Sequence, residues 1–244
     1  MKAMIFAAGL GTRFKPWTDH HPKALAVVNG KTLLQRNVEF LQNHGIREVV
    51  VNVHHFADQV IEAIQKNKGW GSAIMISDES DEVLETGGGL VKARPLLQGT
   101  DSFLTINADI LTNLNITNLV EAHRKKNNLI TLAVMQRDSS RQLLFDSEMK
   151  LKGWRNRLTG DEKGPFLTKG IAGNVLSERA FSGVALYQHE VFDLIKQKGK
   201  FSLTDVFLDL SATYHVEGFD HSGDILLDVG SEEKLRKAEK VFYS

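Results

Sequence analysis

Two glycines and two cations lie close together near the start of the chain. Gly9 and Gly11 follow a short apolar run, Lys2–Ala8. Arg13 and Lys23 come shortly after them. Glycine admits positive φ and lets backbone N–H groups approach a ligand, and successive N–H groups in such a turn form a concave anion site. Because a guanidinium is a planar, permanently charged fork, the segment predicts a site for a polyphosphate.

Two common glycine motifs do not explain this segment. A dinucleotide-binding fingerprint needs a third glycine at the position that Phe14 occupies. A P-loop would need Gly30-Lys31-Thr32 to be preceded by a glycine at the position of Leu25. A lone Gly-x-Gly is otherwise typical of a tight turn with incidental surface cations, so further features must decide between the two interpretations.

Two aspartates stand at the ends of predicted strands. Asp109 follows the apolar stretch Phe103–Ile106, and Asp228 follows Ile225–Leu227. Taken singly, each is typical of a turn residue or a helix cap. Mg²⁺, however, is usually held by one or two carboxylates together with substrate phosphates. A pair of such aspartates is what a nucleotide site would need.

Alternating strand and helix patterns must position these residues. Helical spacing or β-rich runs occur in the order helix Thr32–His44, strand Arg47–Val53, helix Phe56–Lys66, strand Ala73–Ser77, helix Leu90–Leu97 and strand Ser102–Asn107. This alternation predicts an α/β fold with a doubly wound, mainly parallel, Rossmann-like mixed sheet. Ligands of such sheets bind beyond the carboxyl ends of the strands, where Gly9, Asn52, Thr86 and Asp109 fall.

The pattern changes from about Leu129. Extended pieces and shorter helices follow, and Arg155–Glu178 is polar and weakly periodic, so we expect it to be mobile and to set substrate specificity. Ser231 is predicted to cap a final helix. We expect a single domain, 1–244, with a nucleotide-binding half over about 1–128. A smaller lobe over about 129–230 and a C-terminal helix, 231–244, would complete it.

Composition narrows the class of protein. Thirty basic residues balance thirty acidic ones, so no net field favours nucleic acid or a membrane surface, and neither is an expected partner. The chain has no cysteine, which fits a reducing cytoplasm, and no apolar run of membrane-spanning length. We expect a cytoplasmic enzyme.

One family signature matches the start of the chain. It is carried by the run Ala7–Arg13, by Pro16 and Thr18, and by Pro22–Leu25. This string resembles the signature of the sugar-1-phosphate nucleotidyltransferases. The likeness is greatest to bacterial N-acetylmuramate-1-phosphate uridylyltransferases and to mannose- or heptose-1-phosphate guanylyltransferases. It covers nearly the whole chain and is weakest between about Arg137 and Arg179.

The resemblance implies Mg²⁺-dependent transfer of a nucleotidyl group from a nucleoside triphosphate to a sugar 1-phosphate, with release of pyrophosphate. It implies metal ligands at Asp109 and Asp228, with Ala108 in place of the family's usual glycine. The implied catalytic residues are Arg13, Lys23, Asp109 and Asp228. The implied nucleotide contacts are Ala8, Gly9, Gly11, Thr12, Arg13, Asn52, Glu85, Thr86, Gly87 and Asn107. The resemblance makes the lobe over about 129–230 the sugar-phosphate-binding half, which we call the sugar lobe, and Arg155–Glu178 the expected determinant of sugar specificity. The implied substrate contacts are Gly183 and Asp228, and a further lysine of the sugar lobe is expected among Lys152, Lys163 and Lys169.

The run Glu85–Gly89 bears on the choice of base. Its three glycines are predicted to expose a backbone strip on which a nucleobase is read, and the run resembles the base-binding segment of the uridylyltransferases. UTP is therefore the expected nucleotide, and the family resemblance implies N-acetylmuramate 1-phosphate as the sugar. Guanylyl transfer to a mannose or heptose 1-phosphate is the alternative, and a non-catalytic nucleotide-sugar sensor or a choline-phosphate cytidylyltransferase is more distant. Formation of a homo-oligomer is possible and is left open by the sequence.

Overall fold

Four parallel strands form the part of the sheet that carries the glycine loop, Ala8–Arg13. The computed structural model describes residues 1–165 and 176–242. The strands up to residue 112 are β1 (Lys2–Phe6), β2 (Val27–Val28), β3 (Lys31–Thr32), β4 (Glu48–Val53), β5 (Ala73–Asp78), β6 (Ser102–Asn107) and β7 (Ile110–Thr112). The order β5–β4–β1–β6 is parallel throughout. The carboxyl ends of these four strands therefore share one edge.

Helices cover both faces of this parallel sheet. They are α1 (Leu33–Asn43), α2 (Ala57–Lys66), α3 (Glu85–Lys92) and α4 (Ile116–Lys126). Successive strand residues point to opposite faces. Accordingly Ala3 and Ile5 belong to the buried cluster that contains α1 and α2, whereas Met4 belongs to the cluster that contains Leu90 of α3. The predicted doubly wound α/β architecture is confirmed.

The second half extends the same sheet with mostly antiparallel strands. These strands are β8 (Ile130–Met135), β9 (Arg141–Phe145), β10 (Leu151–Asn156), β11 (Glu162–Lys163), β12 (Ser177–Gln188) and β13 (Val216–Asp220). Strand β14 (Leu226–Asp228) pairs with β7 in a separate two-stranded sheet. The helices are α5 (Val191–Leu194), α6 (Leu203–Ser211) and α7 (Glu232–Val241). The side chain of Ser231 accepts a hydrogen bond from the N–H of Lys234, which makes it the predicted N-cap of α7. No helix of the described ranges has the length and apolar composition needed to cross a membrane.

Strand β12 connects the two halves. Its later part, Val184–Gln188, pairs antiparallel with β6, and its first residues, Ser177–Arg179, pair with β9. Its register against β8 shifts between Phe181 and Ala185. Gly183, within this irregularity, has a φ of 74°. In the part of the chain that the structure describes, strands from both halves thus belong to one mixed sheet, and the division near residue 128 stays a prediction.

Two predicted segments differ from the structure. The sequence predicts that the glycine run is a loop opening a helix at Leu90, but α3 begins at Glu85 and includes all three glycines. The polar stretch after Arg155 contains the end of β10, all of β11 and the start of β12. Residues 166–175 of that stretch, on which the expected mobility partly falls, lie outside the described residues.

Candidate active site

The glycine loop leaves the carboxyl end of β1 and turns at Gly11. Gly11 has a φ of 61°, and a Cβ atom at this position would lie 2.8 Å from Cγ2 of Thr18. The hydroxyl of Thr18 donates to the carbonyl oxygen of Gly11 at 2.9 Å. Gly9 has no positive φ, and a Cβ atom there would meet no heavy atom within 4 Å. Gly11 is therefore required by the backbone, whereas Gly9 leaves open space.

A cavity of about 280 Å³ lies over this loop, and we refer to it as the first cavity. Eight of the predicted site residues line it: Gly9, Gly11, Thr12, Arg13, Lys23, Thr86, Asn107 and Asp109. The carboxyl ends of β1 and β6 and the start of α3 thus bring together residues from three distant parts of the chain. Ala8, Asn52, Glu85 and Gly87 do not line it.

Asp109 is fixed through its side chain and through the backbone of the residue before it. Its Oδ2 accepts a hydrogen bond from Nζ of Lys23, and both side chains are largely buried. The buried amide of Asn37 donates to the carbonyl oxygen of Ala108 at 3.0 Å. Ala108 is not among the described residues with a positive φ, so alanine fits where the family usually has glycine. The backbone before Asp109 is fixed by these contacts.

Asp228 lies next to Asp109 across a short strand pair. In the antiparallel pair of β7 and β14, Asp228 is opposite Ile110, and the N–H of Val229 donates to the carbonyl oxygen of Asp109 at 2.8 Å. Oδ2 of Asp228 accepts from Nζ of Lys234 at 3.0 Å, while its Oδ1 is buried without a partner.

The charge of Asp228 is set by competing effects. Burial alone raises the pKa of its carboxyl group, but the hydrogen bond from Lys234 and the charges of Lys23 and Arg13 outweigh burial and lower the pKa below its ordinary value. Asp228 is therefore an anion at neutral pH. An ionised carboxylate with one buried, unpartnered oxygen is suited to a cation.

These two carboxylates fit a magnesium ion. The described residues contain no group of three or more His, Cys, Asp or Glu that could hold a metal alone. Mg²⁺ usually takes only one or two protein carboxylates and completes its shell with phosphate and water. The free Oδ1 of Asp228 and the adjacent Asp109 match that requirement.

A second cavity of about 270 Å³ adjoins the first. The two share Arg13, Asn107 and Asp109. The second cavity is further lined by the predicted Gly183 and Asp228, and by residues that the sequence did not single out, namely Ile110, Arg137, Ser139, Arg141, Leu143, Trp154, Phe181, Thr204 and Phe207. Its lining thus combines apolar side chains with two additional guanidinium groups.

Arg137 is anchored beside Asp228. Its Nη2 donates to the carbonyl oxygen of Phe181 at 3.0 Å, while its Nε is buried without a partner. Burial lowers the pKa of Arg137, and the negative charge of Asp228 acts in the opposite direction. No pattern in the sequence marks this arginine, because it follows β8 at a point where periodicity is weak.

Asn52 lies beneath the glycine loop. Its side chain is buried, its Oδ1 accepts from the N–H of Ala7 at 2.7 Å, and its Nδ2 donates to Oε1 of Glu79 at 2.8 Å. Both ends of the amide are therefore used within the protein. The geometry favours support of the loop, and a direct nucleotide contact stays a prediction.

The glycines of α3 are not an open backbone strip. A Cβ atom at Gly87 would lie 2.3 Å from the ring of Phe201, one at Gly88 2.2 Å from the carbonyl oxygen of Gly199, and one at Gly89 2.6 Å from Oε1 of Glu79. The N–H of Gly87 donates to the carbonyl oxygen of Phe201. The expectation of exposed backbone was wrong, because these glycines permit close packing.

The residues before these glycines differ from each other. Thr86 lines the first cavity, and its hydroxyl accepts from the N–H of Leu203 at 3.1 Å. Glu85 lines neither cavity, and its Oε1 lies 3.7 Å from Nζ of Lys200. Of the two, only Thr86 is on the wall of the first cavity.

Of the three candidate sugar-lobe lysines, the structure describes Lys152 and Lys163, and neither lines either cavity. Nζ of Lys152 lies 3.1 Å from Asp146, and Nζ of Lys163 lies 3.4 Å from Asp205. Lys169 lies outside the described residues. In the described part of the second cavity, the cations are arginines.

Comparison with known proteins supports an enzyme that handles nucleotides. The family model described as "Nucleotidyl transferase" matches residues 2–146. The chain is 33% identical to the N-acetylmuramate alpha-1-phosphate uridylyltransferase of Neisseria meningitidis, over 98% of the chain and 97% of that protein. It is 27% identical to the mannose-1-phosphate guanyltransferase of Yarrowia lipolytica, over 100% of the chain and 64% of that protein.

A solved structure shows the same fold. The crystal structure of HddC from Yersinia pseudotuberculosis matches with a TM-score of 0.77 and 22% identity, and the match covers 98% of each chain. Together, the family match over the glycine loop and the full-length relative establish the assignment. The chain belongs to the nucleotidyl transferase family and is a sugar-1-phosphate nucleotidyltransferase.

Proposed function

We propose that this enzyme transfers a uridylyl group from UTP to N-acetylmuramate 1-phosphate and releases pyrophosphate, with Mg²⁺ as its metal. The observation that carries the proposal is the shared wall of the two cavities, formed by Arg13, Asn107 and Asp109. A triphosphate in the first cavity and a sugar 1-phosphate in the second would bring their reacting phosphates to this wall. Asp228, with its free carboxylate oxygen, lines the second cavity at the same point.

The chemistry needs alignment and charge stabilisation rather than a side-chain nucleophile, because the attacking phosphate oxygen is already anionic. The guanidinium of Arg13, which lines both cavities, would hold phosphate oxygens in a bidentate manner. The ammonium of Lys23 has three donors, so it can bind a phosphate oxygen while one N–H stays on Asp109. Mg²⁺ held by Asp109 and Asp228 would neutralise charge on the phosphates.

The choice of uracil and of N-acetylmuramate rests on the relative from Neisseria meningitidis, since the two chains are 33% identical over almost their full lengths. Guanylyl transfer to mannose 1-phosphate is the second candidate, because the relative from Yarrowia lipolytica also matches the whole chain. The glycines of α3 do not separate the two, since they are packed against protein.

A pyrophosphate-release panel tests the proposal. It would cross UTP, GTP, CTP, ATP and dTTP with the 1-phosphates of N-acetylmuramate, N-acetylglucosamine, mannose and a heptose, with Mg²⁺ and with product masses recorded. We expect the highest kcat/KM for UTP with N-acetylmuramate 1-phosphate. A higher value for GTP with mannose 1-phosphate would replace the proposal by the second candidate. Asp228→Asn serves as the inactive control.

Cytoplasmic location, self-association and the absence of nucleic acid and membrane partners stay predictions. Size-exclusion chromatography with light scattering would decide the oligomeric state, and cell fractionation would decide the location.

A further inference from the structure

Arg141 stands at the first position of β9 and lines the second cavity. In the β9–β10 pair it is opposite Asn156, and Leu143 is opposite Trp154. Residues two apart on a strand share a face, so Arg141 lies on the same side of β9 as Leu143. The side chains of Leu143 and Trp154 also line the cavity. The guanidinium is thus next to the apolar wall of the cavity.

The arginines of the sugar lobe, over about 129–230, differ in whether they form ion pairs with carboxylates of the protein. Arg155 and Arg157 each contact Glu178 at 2.5 Å, and Arg179 contacts Asp220 at 2.7 Å. Neither Arg137 nor Arg141 has a carboxylate within ion-pair distance among the described residues, although both line the same cavity. Because the neighbouring arginines are neutralised by the protein itself, these two are the ones left for a ligand.

The two arginines without a carboxylate partner, Arg137 and Arg141, have different surroundings. Arg137 donates to the carbonyl oxygen of Phe181, and a Cβ atom at the nearby Gly183 would lie 3.0 Å from Nδ2 of Asn107, a residue of the shared wall. Arg137 therefore lies at the end where the reacting phosphates would meet. Arg141 lies at the start of β9, beside Leu143 and Trp154. Its backbone is fixed there by a short turn in which the N–H of Arg141 donates to Oγ of Ser139 and that hydroxyl donates to the carbonyl oxygen of Arg141.

The 1-phosphate of the sugar does not require Arg141. The 1-phosphate of a sugar would be held at the wall that Arg13, Asp109 and Asp228 form, with Arg137 beside it. A pyranose ring is several ångströms long, and its apolar face is suited to Trp154 and Leu143. A substituent on the far side of the ring would then lie near Arg141. A guanidinium pairs best with a planar, bidentate anion such as a carboxylate.

We propose that Arg141 binds a carboxylate carried by the sugar, so that the enzyme selects an acidic sugar 1-phosphate over its neutral counterpart. This inference rests on the proposed function and assigns its sugar specificity to one residue. Since the contact is remote from the reacting phosphates, it is made equally in the ground state and the transition state, and its loss raises KM more than it lowers kcat.

Kinetics with a matched pair of sugars test the inference. N-acetylmuramate 1-phosphate and N-acetylglucosamine 1-phosphate differ by one carboxylate-bearing ether group. For the wild type we expect a higher kcat/KM with the acidic sugar. In Arg141→Gln, kcat/KM for the acidic sugar divided by kcat/KM for the neutral sugar should fall at least about tenfold, the size expected for one charge-assisted contact. Most of this change should be in KM for the acidic sugar. Arg141→Lys should restore part of the ratio.

A control variant and a binding measurement make every outcome decisive. Arg124→Gln removes an exposed arginine of α4, outside both cavities, and should leave the ratio unchanged.

An equal loss on both sugars in Arg141→Gln, or an unchanged ratio, would overturn the role of Arg141 while uridylyl transfer stands. A wild type that prefers neutral sugars would overturn both proposals. If no pair turns over, the proposed function fails, and calorimetric titration of the two sugar phosphates into wild type and Arg141→Gln still decides the inference.

Discussion

Asp109 and Asp228 are adjacent because the last residue of β14 is Asp228 and the N–H of Val229 donates to the carbonyl oxygen of Asp109 at 2.8 Å. This strand pair is anchored further by the hydroxyl of Thr112, which donates to the carbonyl oxygen of Ile225 at 2.8 Å. The spacing of the two carboxylates is therefore set by backbone hydrogen bonds. Lys23 holds one carboxylate and Lys234 holds the other, which leaves Oδ1 of Asp228 available.

Replacing either carboxylate should abolish most of the activity. We expect Asp109→Asn and Asp228→Asn each to reduce kcat at saturating Mg²⁺ at least about a hundredfold, equivalent to about 2.7 kcal/mol of transition-state stabilisation. Amides keep the shape of the side chain, so thermal unfolding should show that each variant folds. A variant that keeps near-wild-type kcat would remove its aspartate from the metal site. Asp224→Asn, an aspartate of the same region that lines neither cavity, is the control.

Arg13→Lys should not preserve activity. The guanidinium of Arg13 packs close to Gly230, where a Cβ atom would lie 3.3 Å from Cζ of Arg13, and it lines both cavities. A lysine keeps the charge but cannot make two parallel hydrogen bonds to phosphate. We expect kcat/KM for the triphosphate to fall at least about tenfold, or about 1.4 kcal/mol. Steady-state kinetics with the nucleotide varied will measure this, and equal values for both proteins would show that Arg13 does not contact phosphate.

Two glycine variants should fail in different ways. Gly87→Ala adds a Cβ atom 2.3 Å from the ring of Phe201, and such overpacking should lower the free energy of unfolding by about 1–3 kcal/mol. Gly9→Ala adds a methyl group where no protein atom lies within 4 Å. It should leave stability unchanged and raise KM for the nucleotide by about tenfold, since the methyl group would occupy space in the first cavity. Urea denaturation and kinetics on both variants separate the effects, and a stable Gly87→Ala protein would contradict the packing argument.

Glu79 should make the folded protein less stable as pH rises. Burial raises the pKa of this carboxyl group above its ordinary value, although the hydrogen bond from Asn52 acts in the opposite direction. Between the ordinary and the raised value the folded state binds more protons than the unfolded state, so the free energy of unfolding falls with increasing pH. A glutamine side chain at this position cannot ionise, so it removes this dependence.

In the Glu79→Gln variant, stability relative to the wild type should therefore increase with pH from about pH 4 upward and level off once Glu79 is ionised in the folded wild-type protein. Urea denaturation at a series of pH values measures this difference. Glu121→Gln, at an exposed position of α4, is the control and should give a profile parallel to that of the wild type. A Glu79→Gln profile parallel to the wild type would show that the Glu79 pKa is not raised.

The sequence by itself determined the α/β class, the family and the strand-end positions of the site residues. Apolar runs that end in Gly9 or Asp109 predict parallel strands whose carboxyl ends meet, because strand period and turn chemistry are local properties of the chain. For that reason Gly9, Thr86 and Asp109 were predicted at this edge of the sheet. They line one cavity with Gly11, Arg13 and Lys23 of the predicted phosphate site and with Asn107, which the family resemblance implied.

Only the tertiary structure decided which predicted residues line the cavities and which support the surrounding backbone through contacts within the protein. Asn52 and the glycines of α3 satisfy every local rule for a binding loop, yet their partners are Ala7, Glu79 and Phe201, which are distant in the chain. The same holds for Arg137 and Arg141, which become cavity residues because β12 brings the second half against β6. Whether a polar group is satisfied by protein or left for a ligand depends on long-range contacts, and no local pattern of residue types encodes them.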